Sequence, residues 1–226
     1  MISSCYHPGT ILVSTPVTPV GRTPARVDGA PGGQTGACSR EVVVEGPTSE
    51  IPVMRILGGK LAGTNLVSPS GRVRPTAEGV RDAWLSELKA DLPGARLLEL
   101  YAGSGAVGLE GLSRGAASCD FVENGGSALH ALKANIAATH TRAKIRVFVR
   151  DALLFINSIP DGRYDIVLAD PPYQSRQLDR LVERWRARPF SRILTFEHAT
   201  DHHFPDAGFR LTFGDTTLSF LRAPDA

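Results

Sequence analysis

A mainly parallel, doubly wound α/β sheet, Rossmann-like, with helices on both faces and an antiparallel edge, is the fold this sequence predicts. Three observations carry the prediction. From Met54 onward, short apolar runs of strand length alternate with amphipathic helical stretches. A glycine-rich turn, Gly103-x-Gly105-x-x-Gly108, joins the first apolar run to the helix after it. Two β runs joined at Gly214-Asp215 close the chain as a hairpin, which supplies the antiparallel edge.

The elements follow in order. Thr76 is placed as an N-cap with Glu78 in the first turn, and Val80, Trp84 and Leu88 follow at helical spacing until Pro93-Gly94. Leu97 to Tyr101 is a strand that runs into the glycine turn, and the next helix stops at Gly115. Cys119 to Glu123 is the second strand, and Leu129, Leu132 and Ile136 mark another helix. Lys144 to Val149 and Tyr164 to Ala169 are the third and fourth strands. Leu178, Leu181, Val182 and Trp185 form one helical stripe, read as core. Ile193 to Glu197 is the fifth strand, and the closing hairpin pairs Arg210 to Phe213 with Thr217 to Leu221.

The 226 residues suit one compact domain plus an extension. Residues 1–53 hold 7 Gly, 7 Pro and 11 Ser or Thr with a single aromatic, too little apolar area to offset the entropy of ordering them. They are expected to be a disordered extension, with Val42 to Val44 as a short strand at most. A transit peptide or a start at Met54 would each account for them, and residues 54–226 are expected to form the domain. Three scattered cysteines exclude a disulfide framework and a Cys-x-x-Cys zinc site. Cys119 reads as a small buried hydrophobe. The apolar runs are too short to span a membrane. A cytoplasmic monomer is expected, with organellar import through residues 1–53 as the alternative location. A net charge of +2 does not by itself announce a nucleic acid.

Glycines after a strand let the backbone turn tightly and approach a ligand. Glu123, 20 residues beyond Gly103, ends the next strand, where a carboxylate can accept both hydroxyls of a ribose. The pair points to an adenosine-containing cofactor. A dinucleotide would place its pyrophosphate on the helix N-terminus. S-adenosylmethionine (AdoMet) would instead bring a cation, which Glu99 can offset, and Asp151-Ala152 can accept from an adenine amino group.

Asp170-Pro171-Pro172-Tyr173 is the most specific feature. Two prolines fix φ and remove two backbone donors, so the turn is stiff and its carbonyls remain free to accept. A carboxylate and a proline carbonyl side by side suit an exocyclic NH2 group, and Tyr173 can stack on a planar base. Holding the amine hydrogens aims the nitrogen lone pair, so positioning and electrostatics can carry a methyl transfer without a covalent enzyme intermediate.

With these motifs in hand, the sequence resembles the bacterial 16S ribosomal RNA guanine-N2-methyltransferase family, from Met54 nearly to the C-terminus. The resemblance rests on Met54 to Lys60, Arg74-Pro75-Thr76 with Val80-Arg81, Tyr101 to Glu110, Leu112 to Ala116, and Asp170 to Tyr173. It implies a class I AdoMet fold with a seven-stranded sheet. It also implies that Gly103 and Gly105 line the cofactor, that Glu123 holds the ribose and that Asp170, Pro171, Pro172 and Tyr173 hold the target guanine; the full candidate cofactor set is Glu99, Tyr101, Ala102, Gly103, Ser104, Gly105, Glu123, Asn124, Asp151, Ala152 and Asp170. The chain departs from the family pattern at Asn124-Gly125-Gly126, in a short segment between Tyr173 and Ile193, and in the long extension.

Ribosomal RNA, free or within a small-subunit assembly intermediate, is the implied partner. Arg55, Lys60, Arg72, Arg74, Arg81 and Arg176 are the candidate phosphate contacts. An adenine or cytosine in DNA, a protein amide, a dinucleotide oxidoreductase and a non-catalytic RNA-binding protein are the rival readings. His198, His202 and His203, with Asp201 and Asp206, read as an exposed polar loop, and no metal is expected.

Overall fold

The computed structural model describes residues 54–69, 77–173, 175–202, 204 and 208–224. The chain divides into two units, Met1–Thr48 and Ser49–Ala226, and every described residue belongs to the second. The expected extension, its Val42 to Val44 strand, the Thr76 cap, Arg72 and Arg74 lie outside the described residues.

Seven strands among these residues make one sheet: β1 (Arg96–Leu100), β2 (Ser118–Glu123), β3 (Ile145–Val149), β4 (Tyr164–Ala169), β5 (Ser191–Ala199), β6 (Phe209–Phe213) and β7 (Thr216–Arg222). Their order is β3-β2-β1-β4-β5-β7-β6, parallel through β5 and antiparallel for the last two. This is the predicted fold class. Five helices are interleaved: α1 (Glu78–Glu87), α2 (Ala106–Ser113), α3 (Gly126–Ala138), α4 (Ala152–Asn157) and α5 (Gln177–Ala187).

Strand side chains alternate between faces, and the core divides accordingly. Leu97, Phe121, Ile166 and Ile193 pack on one face with Trp84 and Leu85 of α1, Leu109 of α2 and Leu132 of α3. Leu98, Leu100, Val167 and Leu194 pack on the other with Phe155 of α4 and the α5 stripe Leu178, Leu181, Val182 and Trp185. Both faces are covered, so the central strands read as continuous apolar runs.

The order of strand addition reverses between β1 and β4, which are parallel neighbours. From β1 the chain winds outward to β2 and β3, and from β4 outward to β5. Leu100 pairs with Ala169, so Tyr101 and Asp170 leave adjacent strand ends, which neighbouring strands space at roughly 4.8 Å. Loops at such a switch point diverge and open a crevice at the carboxyl edge.

Two features depart from the sequence reading, and a third has no counterpart in it. Arg81, expected to contact phosphate, is fully buried (0 % exposed). It faces Glu110 at 3.8 Å and donates to the Arg55 carbonyl at 2.5 Å. It lies in the stripe Arg81, Trp84, Leu85, Leu88, the buried side of α1, so its charge serves the interior. His198 is also buried (3 % exposed) rather than in an exposed loop. Its Nε2 shares a hydrogen bond with Ser219 Oγ at 2.8 Å, and its ring packs with Phe196 and Phe204. Burial pushes its pKa below the usual range. Third, the stretch from Arg55 to Asn65 doubles back as an antiparallel bridge docked on α2. Glu110 accepts from the Leu57 and Gly58 amides at 2.8 and 2.7 Å, and Ser113 accepts from Leu61 at 2.9 Å. Gly59, at φ +79°, has no room for a Cβ, which would lie 2.0 Å from the Ser113 carbonyl oxygen.

Candidate active site

The carboxyl edge holds a cleft of about 920 Å³. The β1–α2 loop forms one wall. Tyr101 is in the left-handed region at φ 57°, a costly conformation for a residue with a side chain. Gly103 (φ 55°) and Gly105 (φ 76°) follow it in the same region. The Gly105 amide donates to the Ala102 carbonyl at 2.7 Å, closing the turn.

The three glycines have different duties. Gly103 lines the cleft. Gly105 does not; a Cβ there would meet Leu132 Cδ1 at 2.4 Å, so it permits loop-to-helix packing behind the wall. Gly108 makes room for Glu99, whose Oε2 would lie 2.5 Å from an added Cβ. Glu99 Oε2 accepts the Gly108 amide at 2.8 Å. Burial pushes Glu99 up to about 8, and the nearby charges of Asp170 and Glu123 push the same way. The Tyr101 hydroxyl is buried without a hydrogen-bond partner among the described residues, and burial pushes its phenol above the usual range.

Glu123, at the end of β2, ties the loop to the next element. Its Oε2 accepts the Gly103 amide at 2.8 Å, and its Oε1 accepts the amides of Asn124 (2.8 Å) and Gly125 (2.7 Å). A carboxylate has about four acceptor sites, so these three amides leave about one on Oε2. Glu123, expected to hold a ribose, lines the cleft. Asp151 caps α4 by accepting the Leu154 amide at 2.9 Å, and with Ala152 it lines the cleft beyond β3.

The opposite wall is Asp170 to Tyr173, all four in the same cleft. Pro171 is buried, while Pro172 and Tyr173 (44 % exposed) open to solvent. The Tyr173 hydroxyl donates to Glu197 Oε1 of β5 at 2.9 Å and lies 3.0 Å from Thr216 Oγ1 of β7. Burial and the Glu197 carboxylate push it up to about 12, against the Thr216 hydrogen bond. The phenol tip is anchored and the ring remains available.

Of the residues expected to hold cofactor or target, all but Gly105 line this one cleft. The candidate RNA contacts are not gathered in the same way: Arg55, Lys60 and Arg176 are exposed, and Arg81 is internal. Sequence reasoning missed Glu197, Thr216, Phe213, Gln177 and Arg150, which also line the cleft. The Tyr173 contacts join residues 24 and 43 positions apart, which no local pattern reveals. α4 did leave a signal, an Asp followed by an apolar run.

Comparison with known proteins places this site in context. A family model described as Conserved hypothetical protein 95 matches residues 54–212. YlbH of Bacillus subtilis (strain 168), provisionally named an rRNA methyltransferase, is 26% identical over 172 residues, covering 74% of this chain and 91% of its own. Ribosomal RNA small subunit methyltransferase D of Escherichia coli (strain K12) is 34% identical over 130 residues, 57% of this chain and 65% of that one. The solved structure of yhhF from Escherichia coli, provisionally called a methyltransferase, superposes with a TM-score of 0.65 at 26% identity. It covers 74% of this chain and 96% of its own.

Proposed function

The chain belongs to the family described as Conserved hypothetical protein 95, and from that membership we propose that it transfers a methyl group from AdoMet to the exocyclic N2 amino group of a guanine in small-subunit ribosomal RNA. The observation that carries the proposal is the shared cleft: the glycine loop and Glu123 form one wall, and the Asp170 corner the other. The names of the relatives support an rRNA methyltransferase, and the motif order in this chain supports the amino acceptor.

The residues present fit AdoMet. Glu123, Asp151 and Asp170 all line the cleft, a setting that favours a cation over a pyrophosphate. That charge balance disfavours a dinucleotide. Gly103, Ser104, Glu123 and Asn124 would hold the ligand at the loop, with Asp151-Ala152 toward its adenine. When bound, AdoMet supplies an electrophilic methyl carbon on a sulfonium. The chain does the rest by placement. The Asp170 carboxylate and the adjacent carbonyl would accept hydrogen bonds from the two amino hydrogens, so the nitrogen lone pair points into the cleft, and one of those protons leaves through Asp170 to solvent as the new N–C bond replaces the bond to sulfur. The proline pair keeps those acceptors from relaxing. Tyr173, held by Glu197 and Thr216, offers its ring to the base, which must leave its helix to arrive there.

The test is methyl transfer from labelled AdoMet to small-subunit RNA, or to particles from a strain lacking the activity, followed by mass spectrometry of the nucleosides. N2-methylguanosine is expected. Asp170→Ala should keep calorimetric AdoMet binding and lose about 100- to 1,000-fold in rate, the usual effect of removing one transition-state contact. Absence of N2-methylguanosine, or an unimpaired Asp170→Ala variant, refutes the proposal.

A further inference from the structure

The cleft has a second exposed aromatic ring. Phe213 ends β6 and is 38 % exposed. It pairs across the Gly214-Asp215 turn with Thr216, so the two side chains share a sheet face about 5 Å apart at Cβ. Thr216 is the residue whose hydroxyl lies 3.0 Å from the Tyr173 phenol. Phe213 therefore flanks the tyrosine anchor at the acceptor end of the cleft. The hairpin tip is held in place: the Thr200 amide donates to the Asp215 carbonyl at 3.0 Å, and the Thr200 hydroxyl to the Gly214 carbonyl at 2.9 Å.

Phe209, on the same edge strand, packs against Phe220 with ring centroids 5.7 Å apart. Phe213 meets no other aromatic ring or cation among the described residues. A large apolar side chain held partly open in the cleft that also carries the Asp170 corner suits a ligand that is flat and carries an amino group.

We propose that Phe213 is a base-stacking residue of the acceptor subsite, its ring receiving one face of the target base while the Asp170 corner grips the amino group. This rests on the RNA methyl-transfer reading above and adds to it the element that sets the base's position. Phe213 lies one residue beyond the family match.

The test compares wild type with Phe213→Ala, Phe213→Leu and Phe213→Trp on the same RNA or particles, with AdoMet affinity and thermal midpoint measured in parallel. Stacking on a nucleobase implies a tenfold to roughly 100-fold loss of kcat/KM for the RNA in the Ala and Leu variants. Trp should restore near-normal values, with AdoMet affinity and midpoint unchanged throughout. Leu retains apolar volume, so it decides the matter if Ala proves unstable. Wild-type rates in Phe213→Leu, or a loss that Trp does not recover, overturn the proposal. A wild-type protein that methylates no RNA refutes the parent reading and this proposal together, whereas active wild type with an indifferent Leu variant refutes this proposal alone.

Discussion

Replacing Glu99 by Gln should make the ligand-free protein more stable in mild alkali and little changed in mild acid. Glu99 is buried in β1, accepts the Gly108 amide, and is pushed up to about 8. Its folded pKa is thus raised above its unfolded value. Between about 4.5 and about 8 the fold keeps a proton that the unfolded chain has released, so stability falls as pH rises through that window and levels off above it. At ~1.4 kcal/mol per tenfold change in proton affinity the full window is worth about 5 kcal/mol, and relaxation of the site reduces this to roughly 2–5 kcal/mol. Gln keeps the shape and the acceptor for Gly108 but cannot ionise. Urea unfolding of both proteins near pH 5 and near pH 9 measures the difference. Wild type should lose those 2–5 kcal/mol relative to Glu99→Gln on going to the higher pH. Parallel curves would mean that Glu99 is ionised in the fold throughout, and the burial argument would fail.

Other outcomes follow from the same geometry. Gly108→Ala drives a methyl into Glu99 Oε2, Cys119 Sγ and Phe121 Cε1, at 2.5, 2.7 and 2.8 Å; a loss of at least 1–3 kcal/mol is expected by thermal unfolding. Arg81→Ala should cost about 3 kcal/mol, because it empties a buried site beside Glu110. Lys60→Ala should leave stability within ~0.5 kcal/mol while weakening RNA binding and flattening its salt dependence. Glu123→Gln should lower AdoMet affinity measurably by calorimetry, since a neutral amide accepts the Gly103, Asn124 and Gly125 amides less strongly.

Much of the fold was legible because its signals are local. β4 spans Tyr164–Ala169 as expected, an apolar run bounded by Arg163 and Asp170-Pro171. The α5 stripe emerged intact because four apolar positions at helical spacing admit one reading. Arg81 was misplaced because charge was weighed above position. The run Arg81, Trp84, Leu85, Leu88 is the i, i+3, i+4, i+7 pattern, and it puts the arginine at the centre of the buried face. The candidate site was legible in its two walls, each carried by contiguous motifs. Its cross-links were not. Glu197 and Thr216 are ordinary strand residues until β7 lies beside β5, and Glu110 is an ordinary helical acid until Leu57 and Gly58 dock on it.

The sheet order β5-β7-β6 has a consequence for how the protein is made. β7 comes after all six other strands in the chain, yet it is inserted next to β5. A nascent polypeptide leaving the ribosome can assemble the five parallel strands, and with them the glycine loop and its glutamate, before residues 213–216 exist. Tyr173 at that stage has Glu197 but no Thr216 to brace it. If the proposed function holds, the donor side of the cleft would therefore form before the acceptor side during synthesis, and chains stalled before the final hairpin would lack a finished grip on a base.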